Sequence, residues 1–399
     1  MTALAYLFER FPSYVQTFCC REVSELLRQG VELTIFSVRG PENQPSQQWD
    51  PSLIAKVHYL PDEAELRDEV SRAIRKGLLS EDAVRKIEKW GRQPDFLRLY
   101  QAAYIGVRLR ERNLKHVHAH FAGLAARTAF WIQEFFGIPF SLTAHANDIF
   151  APRPFAIGLG KLIAAASAIV TESDFAATLL RTKFPQESAK VLRIYNGIDL
   201  SQFNRARFDS SVPLILSIGR LVEKKGFTHL IEACRILKER GRAFRCEIIG
   251  DGPLDDSLRA QIVTNGLDQL VSLIGARSQQ EITKRLSDAT MFCLPCVIEQ
   301  GGGMDNLPTV IAEAMASGLP VVSTEIAGVP EMVINGVNGL LVRPGDSVAL
   351  ADAIETMLND QKLAQQMGEQ GCQRAQAMFS IEVSANALRQ LFVRPAPLK

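Results

Sequence analysis

Residues 304–318 read MDNLPTVIAEAMASG and run straight into LPVVSTEIAGVPE at 319–331. In this stretch Asp305 precedes a second acidic residue, Glu313, by eight positions, with a Leu-Pro pair between them. The pair ends a loop and launches a helix, because Pro308 suits the first helical position, where its missing N–H costs nothing. The amides of Asn306, Leu307 and Thr309 are then expected to point out of the helix start, where an anion is favoured. Glu313 falls about one turn further in and can reach a polar group beside that anion. A loop, a helix and then an apolar strand (LPVVST) form one unit of a parallel sheet covered by helices. A helix start flanked by two carboxylates suits a ligand that is both a phosphate ester and a polyol. A nucleotide-sugar is such a ligand.

The same alternation runs along nearly the whole chain. In the first half LAYLF, VELTIFSV, HVHAHF, FSLTAHA, AIVTES and VLRIYN read as strands, with helical patterns such as Thr17–Arg28 and Gly123–Phe136 between them. In the second half VPLILSIGR, FRCEIIGDG, VSLIG, MFCLPC, LPVVST and GLLV play that role. Helices are expected there near Phe227–Arg240, Leu254–Asn265, Ser278–Asp288 and Pro308–Ser317. Unbroken apolar runs such as Leu214–Ile218 fit sheets buried on both faces. The expectation is an α/β chain of two doubly wound, Rossmann-like domains, with a cleft at the carboxyl ends of their strands. The turn-rich, polar stretch Asn196–Asp209 joins the halves, giving domains at 1–200 and 201–378, and the amphipathic segment at 379–399 follows.

The length of 399 residues suits two domains rather than one. Lys plus Arg number 45 and Asp plus Glu 44, a balance that gives nucleic acid no electrostatic footing. The N-terminus lacks the basic start, apolar run and cleavage site of a secretory signal, and no apolar run approaches the roughly 18 residues of a membrane span. Seven cysteines, odd in number and without framework spacing, indicate reduced thiols and a cytoplasmic setting.

Residues 61–115 break the alternation. From Arg72 to Lys115 there are 12 Lys/Arg against 5 Asp/Glu, interleaved with Trp90, Phe96, Tyr100 and Tyr104. Such a helical insert either rests on an anionic membrane or acceptor, or is a solvated face with its aromatics turned into the core.

These strings resemble glycosyltransferase family four, retaining enzymes of the GT-B architecture, over almost the entire chain. The resemblance is carried by SIGRLVEKKGF (217–227), IGDGPL (249–254), LIGARSQQEI (273–282), the Asp305–Glu313 block with GLPVVST, and VPEMVINGVNGLLV (329–342). In the first half HAHF (118–121), TAHANDIF (143–150) and YNGID (195–199) also match. The opening ERFPSYVQTF (9–18) is similar to the branch that builds exopolysaccharides of the colanic-acid type, which lacks paired glycines in its first loop.

The resemblance implies transfer of a hexose from a nucleotide diphosphate-sugar to a glycan acceptor, lipid-linked in this branch, with peripheral contact at the inner leaflet of the membrane. It implies that the helix at 379–399 crosses back onto the first domain, which binds the acceptor, while the second binds the donor. Arg220 and Lys225 match the pair that clamps the departing diphosphate, so neither metal nor other cofactor is expected. Glu313 matches the glutamate that holds the donor ribose. Asp305 stands where the family usually has glutamate against the donor sugar, one methylene shorter. His145 matches the histidine whose backbone carbonyl and ring face the reacting sugar. Gly219, Gly252, Ala276, Arg277 and the run Asn306, Leu307, Pro308, Thr309 complete the donor side, and His120 and Asp148 lie on the acceptor side.

The shortened Asp305 keeps a second reading open, a binding subunit that retains the fold without catalysis. A nucleotide-sugar epimerase would need no such N-terminal insert. His116, His118 and His120 share one face of a strand, but their spacing crowds a metal and no carboxylate or thiol accompanies them in sequence. Cys293-x-x-Cys296 reads as small core residues. Gly250-Asp251-Gly252 is a tight turn rather than a dinucleotide fingerprint, since Asp255 holds the third glycine position.

Overall fold

The computed structural model describes residues 4–41, 49–90, 93, 95–151, 154–208 and 212–393. The chain forms two compact units. The first comprises residues up to Glu172, Ala177–Ile194 and the chain from Ala385 on; the second comprises Ser173–Ala176 and Tyr195–Ser384.

The first unit is built on seven parallel strands: β1 (Leu4–Arg10), β2 (Leu33–Arg39), β3 (Val57–Tyr59), β4 (Val117–His120), β5 (Phe140–Thr143), β6 (Ala168–Thr171) and β7 (Val191–Arg193). Their order across the sheet is β3-β2-β1-β4-β5-β6-β7, so the winding reverses between β1 and β4, where Tyr6 pairs with His118. The second unit carries six: β8 (Leu214–Ile218), β9 (Arg245–Ile249), β10 (Val271–Leu273), β11 (Met291–Leu294), β12 (Val321–Thr324) and β13 (Gly339–Val342). Their order is β10-β9-β8-β11-β12-β13, reversing between β8 and β11. All pairs are parallel, and β8, β11 and β12 are buried at every residue, as their unbroken apolar runs require. The α/β class and the doubly wound, parallel architecture expected from the alternation are both present.

One strand escaped the pattern. Val57–Tyr59 pairs with Ile35–Ser37 at the sheet edge, but three residues are too few for periodicity to register. Helix positions agree closely. Thr17–Arg28 matches to the residue, and the helix expected from Pro308 begins at Thr309, with Pro308 itself as the N-cap in extended conformation (φ −64°, ψ 106°). The C-terminal helix is Ile381–Val393; its Ala385 sits in the core of the first unit, and the Phe392 ring packs edge-on against His118 at 5.1 Å.

The basic insert consists of the helices Glu63–Arg75, Glu81–Trp90 and Leu97–Glu111. Much of its charge is paired within the unit: Arg67 with Glu63 (2.6 Å), Arg72 with Glu69 (2.7 Å) and, across the sequence, Lys86 with Glu134 (2.8 Å). Its aromatics are also used within the unit. Arg67 lies over Phe96 and Tyr100, Arg108 over Tyr104 at 3.3 Å, and Trp90 meets Trp131 edge-on. The third helix buries Leu99, Ala102, Ile105 and Leu109 and packs closely on the helix Leu124–Phe136.

Gly106 permits that approach, since a Cβ there would meet Phe136 Cε2 at 2.1 Å. In an open helix Gly→Ala adds about 1 kcal/mol. Here the forced shift of a packed ring costs about 1–3 kcal/mol. Gly106→Ala is therefore expected to lower the thermal midpoint, against the helix-propensity trend; a higher midpoint in a melting experiment would show that the ring yields freely.

Candidate functional site

In the second unit the switch point between β8 and β11 collects the charged residues. The chain leaves β8 through Gly219 and Arg220, makes a short 3-10 turn at Glu223–Lys225 and enters the helix Phe227–Glu239 at Gly226. Gly226 has φ +68°, and a Cβ there would lie 1.9 Å from the carbonyl oxygen of Pro295, just past β11. Only glycine lets the two loops touch so closely. A backbone bond from Val297 N–H to the Lys224 carbonyl (2.9 Å) ties them further.

This contact brings the lysines of one loop to the aspartate of the other. Lys225 Nζ donates to Asp305 Oδ2, and Lys224 Nζ lies 3.3 Å from Asp305 Oδ1. All three side chains are almost enclosed, at 14%, 18% and 13% exposure. Burial pushes the Asp305 carboxyl up, but the ammonium groups of Lys225 and Lys224 outweigh it and hold it below the usual carboxylate range. Burial likewise opposes the charge on Lys225, and Asp305 beside it more than compensates, leaving that ammonium harder to deprotonate. Cys296 Sγ stands 3.8 Å from Asp305 Oδ2, its thiol pushed far up by burial. Arg220 is exposed and forms no ion pair among the described residues.

The other donor-side residues divide. Asp305, Asn306, Leu307, Pro308 and Thr309 form one continuous approach to the helix Thr309–Ala316. Asn306 is buried, its Oδ1 accepting from the Ser173 hydroxyl (2.5 Å) of the same unit, and Leu307 belongs to the core. Glu313, on that helix, is 2% exposed. Gly219 is against Lys225, since a Cβ would meet its Cε at 3.1 Å, and Gly252 (φ +152°) lies against Leu221 of the β8 loop. Ala276 and Arg277 stand apart, beyond β10, where Arg277 bonds the Ala276 carbonyl and lies 3.8 Å from Glu281.

In the first unit a second polar cluster lies at the carboxyl ends of β4, β5 and β6. His120 closes β4, and its Nε2 faces Glu22 Oε1 at 3.0 Å. His120 Nδ1 faces His145 Nε2 at 3.3 Å, and His145 Nδ1 faces Glu172 Oε2 at 2.9 Å. Both ring nitrogens of His145 are thus engaged inside the unit. Its carbonyl accepts from the Asp148 amide (2.9 Å), and its own N–H donates to Asp148 Oδ2 (2.9 Å). Asp148 therefore caps the short helix Ala146–Phe150; burial raises its carboxyl. The absence of a carboxylate or thiol near the strand histidines holds in sequence only. In space Glu22 and Cys19 both reach His120, Cys19 Sγ at 3.6 Å from Nδ1. Glu22, His118 and His120 bring ligand-type atoms within 4.8 Å of one another, but the His118 nitrogens are taken by the Ser141 and Thr143 hydroxyls, at 2.8 and 3.0 Å. Burial drives His118 well below its ordinary value and His116 to about 4, so both are neutral.

Sequence reading missed Glu22, Glu172 and Lys224. Glu172 had a readable signal, since it directly follows the strand AIVT at its carboxyl end.

Comparison with known proteins gives the class. Residues 15–202 match the family described as Glycosyltransferase Family 4, and residues 200–374 the one described as Glycosyl transferases group 1. The amylovoran biosynthesis glycosyltransferase AmsK of Erwinia amylovora is 32% identical over 372 residues, covering 87% of this chain and 88% of that one. The putative colanic acid biosynthesis glycosyltransferase WcaL of Escherichia coli (strain K12) is 30% identical over 371 residues, covering 88% and 89%. The crystal structure of Anabaena Alr3699/HepE in complex with UDP matches with a TM-score of 0.71 over 98% of this chain and 99% of that one. At 18% identity that likeness speaks for the fold. The chain belongs to glycosyltransferase family 4: it is a glycosyltransferase of the GT-B fold, with two Rossmann-like parallel sheets.

The depressed Asp305 carboxyl has a consequence for stability. A carboxylate held lower in the folded chain stabilises it above the unfolded value, near 4, and loses that contribution as pH falls through the folded one. Asp305→Asn leaves two enclosed ammonium groups without their counter-ion and is expected to cost about 2–4 kcal/mol at pH 7. Urea denaturation should show the deficit shrinking as pH falls below the ordinary carboxylate range and closing only once the folded Asp305 carboxyl is itself protonated. A pH-independent deficit would mean that the carboxylate is not held by its charge.

Proposed function

We propose that this glycosyltransferase moves a hexose, with retention, from a nucleotide diphosphate-sugar held by the second unit to a glycan acceptor held by the first. The observation that carries the reading is the cluster after β8 and β11: the exposed guanidinium of Arg220, the Lys225–Asp305 pair, and the helix that starts at Thr309. When the bond between sugar and diphosphate breaks, negative charge grows on the leaving oxygen. Cations already in place stabilise that state more than the intact donor. Lys225 now neutralises Asp305; a bound diphosphate offers it a second anion and frees Asp305 to meet the donor sugar. The amides at the start of the Thr309 helix add a further positive end. In this scheme Arg220 and Lys225 are the diphosphate clamp, Glu313 holds ribose hydroxyls, and Gly219, Gly252, Ala276 and Arg277 border the nucleoside.

His145 stands at the reacting sugar in this reading, with His120 and Asp148 on the acceptor side. The acceptor attacks from the face that the diphosphate leaves, so no side chain serves as nucleophile. The protein's own cations neutralise the leaving group, and the scheme calls for no metal.

The relatives named for amylovoran and colanic acid biosynthesis favour a cell-surface polysaccharide as the product. The reading extends to a lipid-linked acceptor met at the cytoplasmic face of the membrane. Exposed Arg75, Lys76, Arg85 and Lys89 on the insert offer charge for anionic lipid. All seven cysteines are free and buried, which suits a reducing compartment. Among the described residues no helix is long and apolar enough to cross a membrane.

Arg220→Ala and Lys225→Ala are each expected to cut turnover by about 10²-fold or more, with nucleoside diphosphate binding weakened in calorimetry. Normal turnover in both variants would refute the clamp. Separately, sedimentation with vesicles rich in anionic lipid should pull down the chain at low salt and release it as salt rises; no binding at low salt would remove the membrane from the reading.

A further inference from the structure

Four side chains from four elements of the first unit meet end to end. Glu22 comes from the helix Thr17–Arg28, His120 from the end of β4, His145 from two residues beyond β5, and Glu172 from the residue after β6. Their three contacts are oxygen to nitrogen (3.0 Å), nitrogen to nitrogen (3.3 Å) and nitrogen to oxygen (2.9 Å). Without a proton, each contact sets one lone pair against another, so each needs one proton of its own. Three contacts need three protons, and two neutral imidazoles bring only two.

We propose that the chain Glu22–His120–His145–Glu172 carries one proton more than two neutral imidazoles and two carboxylates, and that Glu22 and Glu172 are positioning residues that retain this proton and thereby hold His145 in place. Moving the proton onto a carboxyl oxygen changes its address but not the count. The surroundings favour keeping it on the rings. Tyr6 donates its hydroxyl to the same Glu22 oxygen at 2.7 Å, which keeps that carboxylate an acceptor. Phe8 stacks on His120 at 5.0 Å, and the rings of Phe121 and Phe18 lie tilted against His145 at 4.2 and 5.0 Å, within the range over which an aromatic ring attracts a cation. Burial opposes charge on His145, but the Glu172 carboxylate overrides it and raises the imidazole above its ordinary value.

The other titratable groups packed on the pair do not take the proton away. From β1, Tyr6 is raised by burial and stays neutral. From the first helix, the Cys19 thiol is raised by burial, stays protonated and stands 3.6 Å from His120 Nδ1, where its weak S–H reaches that nitrogen from the side without filling the gap between the two rings. From β4, His118 is neutral and bound to hydroxyls. From the loop after β5, Asp148 is bound to the His145 amide.

The charge has a direction with pH. A base raised in the folded chain contributes fully below its unfolded pKa and loses that contribution as pH rises through the folded one. Once the third proton leaves, the inner contact is two facing lone pairs, and His145 is released. If His145 stands at the reacting sugar, as in the reading above on which this kinetic consequence rests, the pair sets the alkaline limb of activity.

The test is histidine-selective 15N labelling of the full chain, which has six histidines, with ring shifts followed against pH. One ring of the pair is expected to carry both N–H groups at pH 7. Glu172→Gln removes a counter-charge and should shift both the ring titration and the alkaline limb of kcat/KM down by about one pH unit or more. Glu172→Asp should restore part of that shift. Two neutral rings in the wild-type chain at pH 7 would overturn the placement of the third proton on the rings, and 13C carboxyl shifts that also show Glu22 and Glu172 ionised would overturn the count; neither measurement needs a variant to fold. Ring shifts that move in Glu172→Gln while the limb stays put would overturn the positioning role. A wild-type chain that transfers no sugar from any donor would instead fail the transfer reading, and the ring and carboxyl shifts together would still decide the count.

Discussion

Parallel pairing puts the carboxyl ends of all strands of a sheet along one side, and the rest of each unit is arranged around that fact. Where the winding reverses, the strand-end loops of two neighbouring strands border one site. In the second unit these loops follow β8 and β11, and they carry Lys224 and Lys225 on one side and Asp305 on the other. In the first unit the reversal lies between β1 and β4, and the histidine chain gathers at the ends of β4, β5 and β6 beside it. No charged side chain of either cluster projects from the middle of a strand.

The two clusters solve the problem of enclosed charge differently. An unpaired charge taken from water costs several kcal/mol, and a pair recovers this only with good geometry. The second unit uses permanent ions, with one carboxylate between two ammonium groups, all nearly enclosed. The first unit uses groups whose charge depends on shared protons, with carboxylates at the ends and imidazoles between. Such a chain is stiff while its protons are in place, because every nitrogen is committed. The same commitment means that both nitrogens of the His145 ring are held from within its unit.

Much of this was legible beforehand. The apolar runs at Leu214–Ile218 and Met291–Leu294, bounded by glycine and proline, could only be strands covered on both faces, and helices such as Thr17–Arg28 announced themselves by spacing. Asp305 could be singled out because it stands at a Leu-Pro helix start, whereas Arg220 and Lys225, in the loop that follows such a run, stood out through the family resemblance. Legibility ended where the signal was short or non-local. Val57–Tyr59 is a strand because Ile35–Ser37 lies beside it, not because three residues have a period. Pro308 falls one place outside the helix, as its N-cap, a shift that spacing cannot resolve. The basic insert showed an excess of cations, yet many are spent on carboxylates and rings that the sequence places tens of residues away, such as Glu134 for Lys86.

By itself, then, the sequence determined the class of fold, the positions of the strand ends and the kinds of charge set there, because those follow from local periodicity and turn chemistry. Only the tertiary structure decided which charges are partners. Glu22 lies 98 residues from His120, and Glu172 lies 27 from His145. Lys224 reaches Asp305 because Gly226 lets one loop press against the backbone of another. Partnership over such separations depends on strand order across a sheet, which is settled by the packing of whole elements and leaves no mark at the residues themselves.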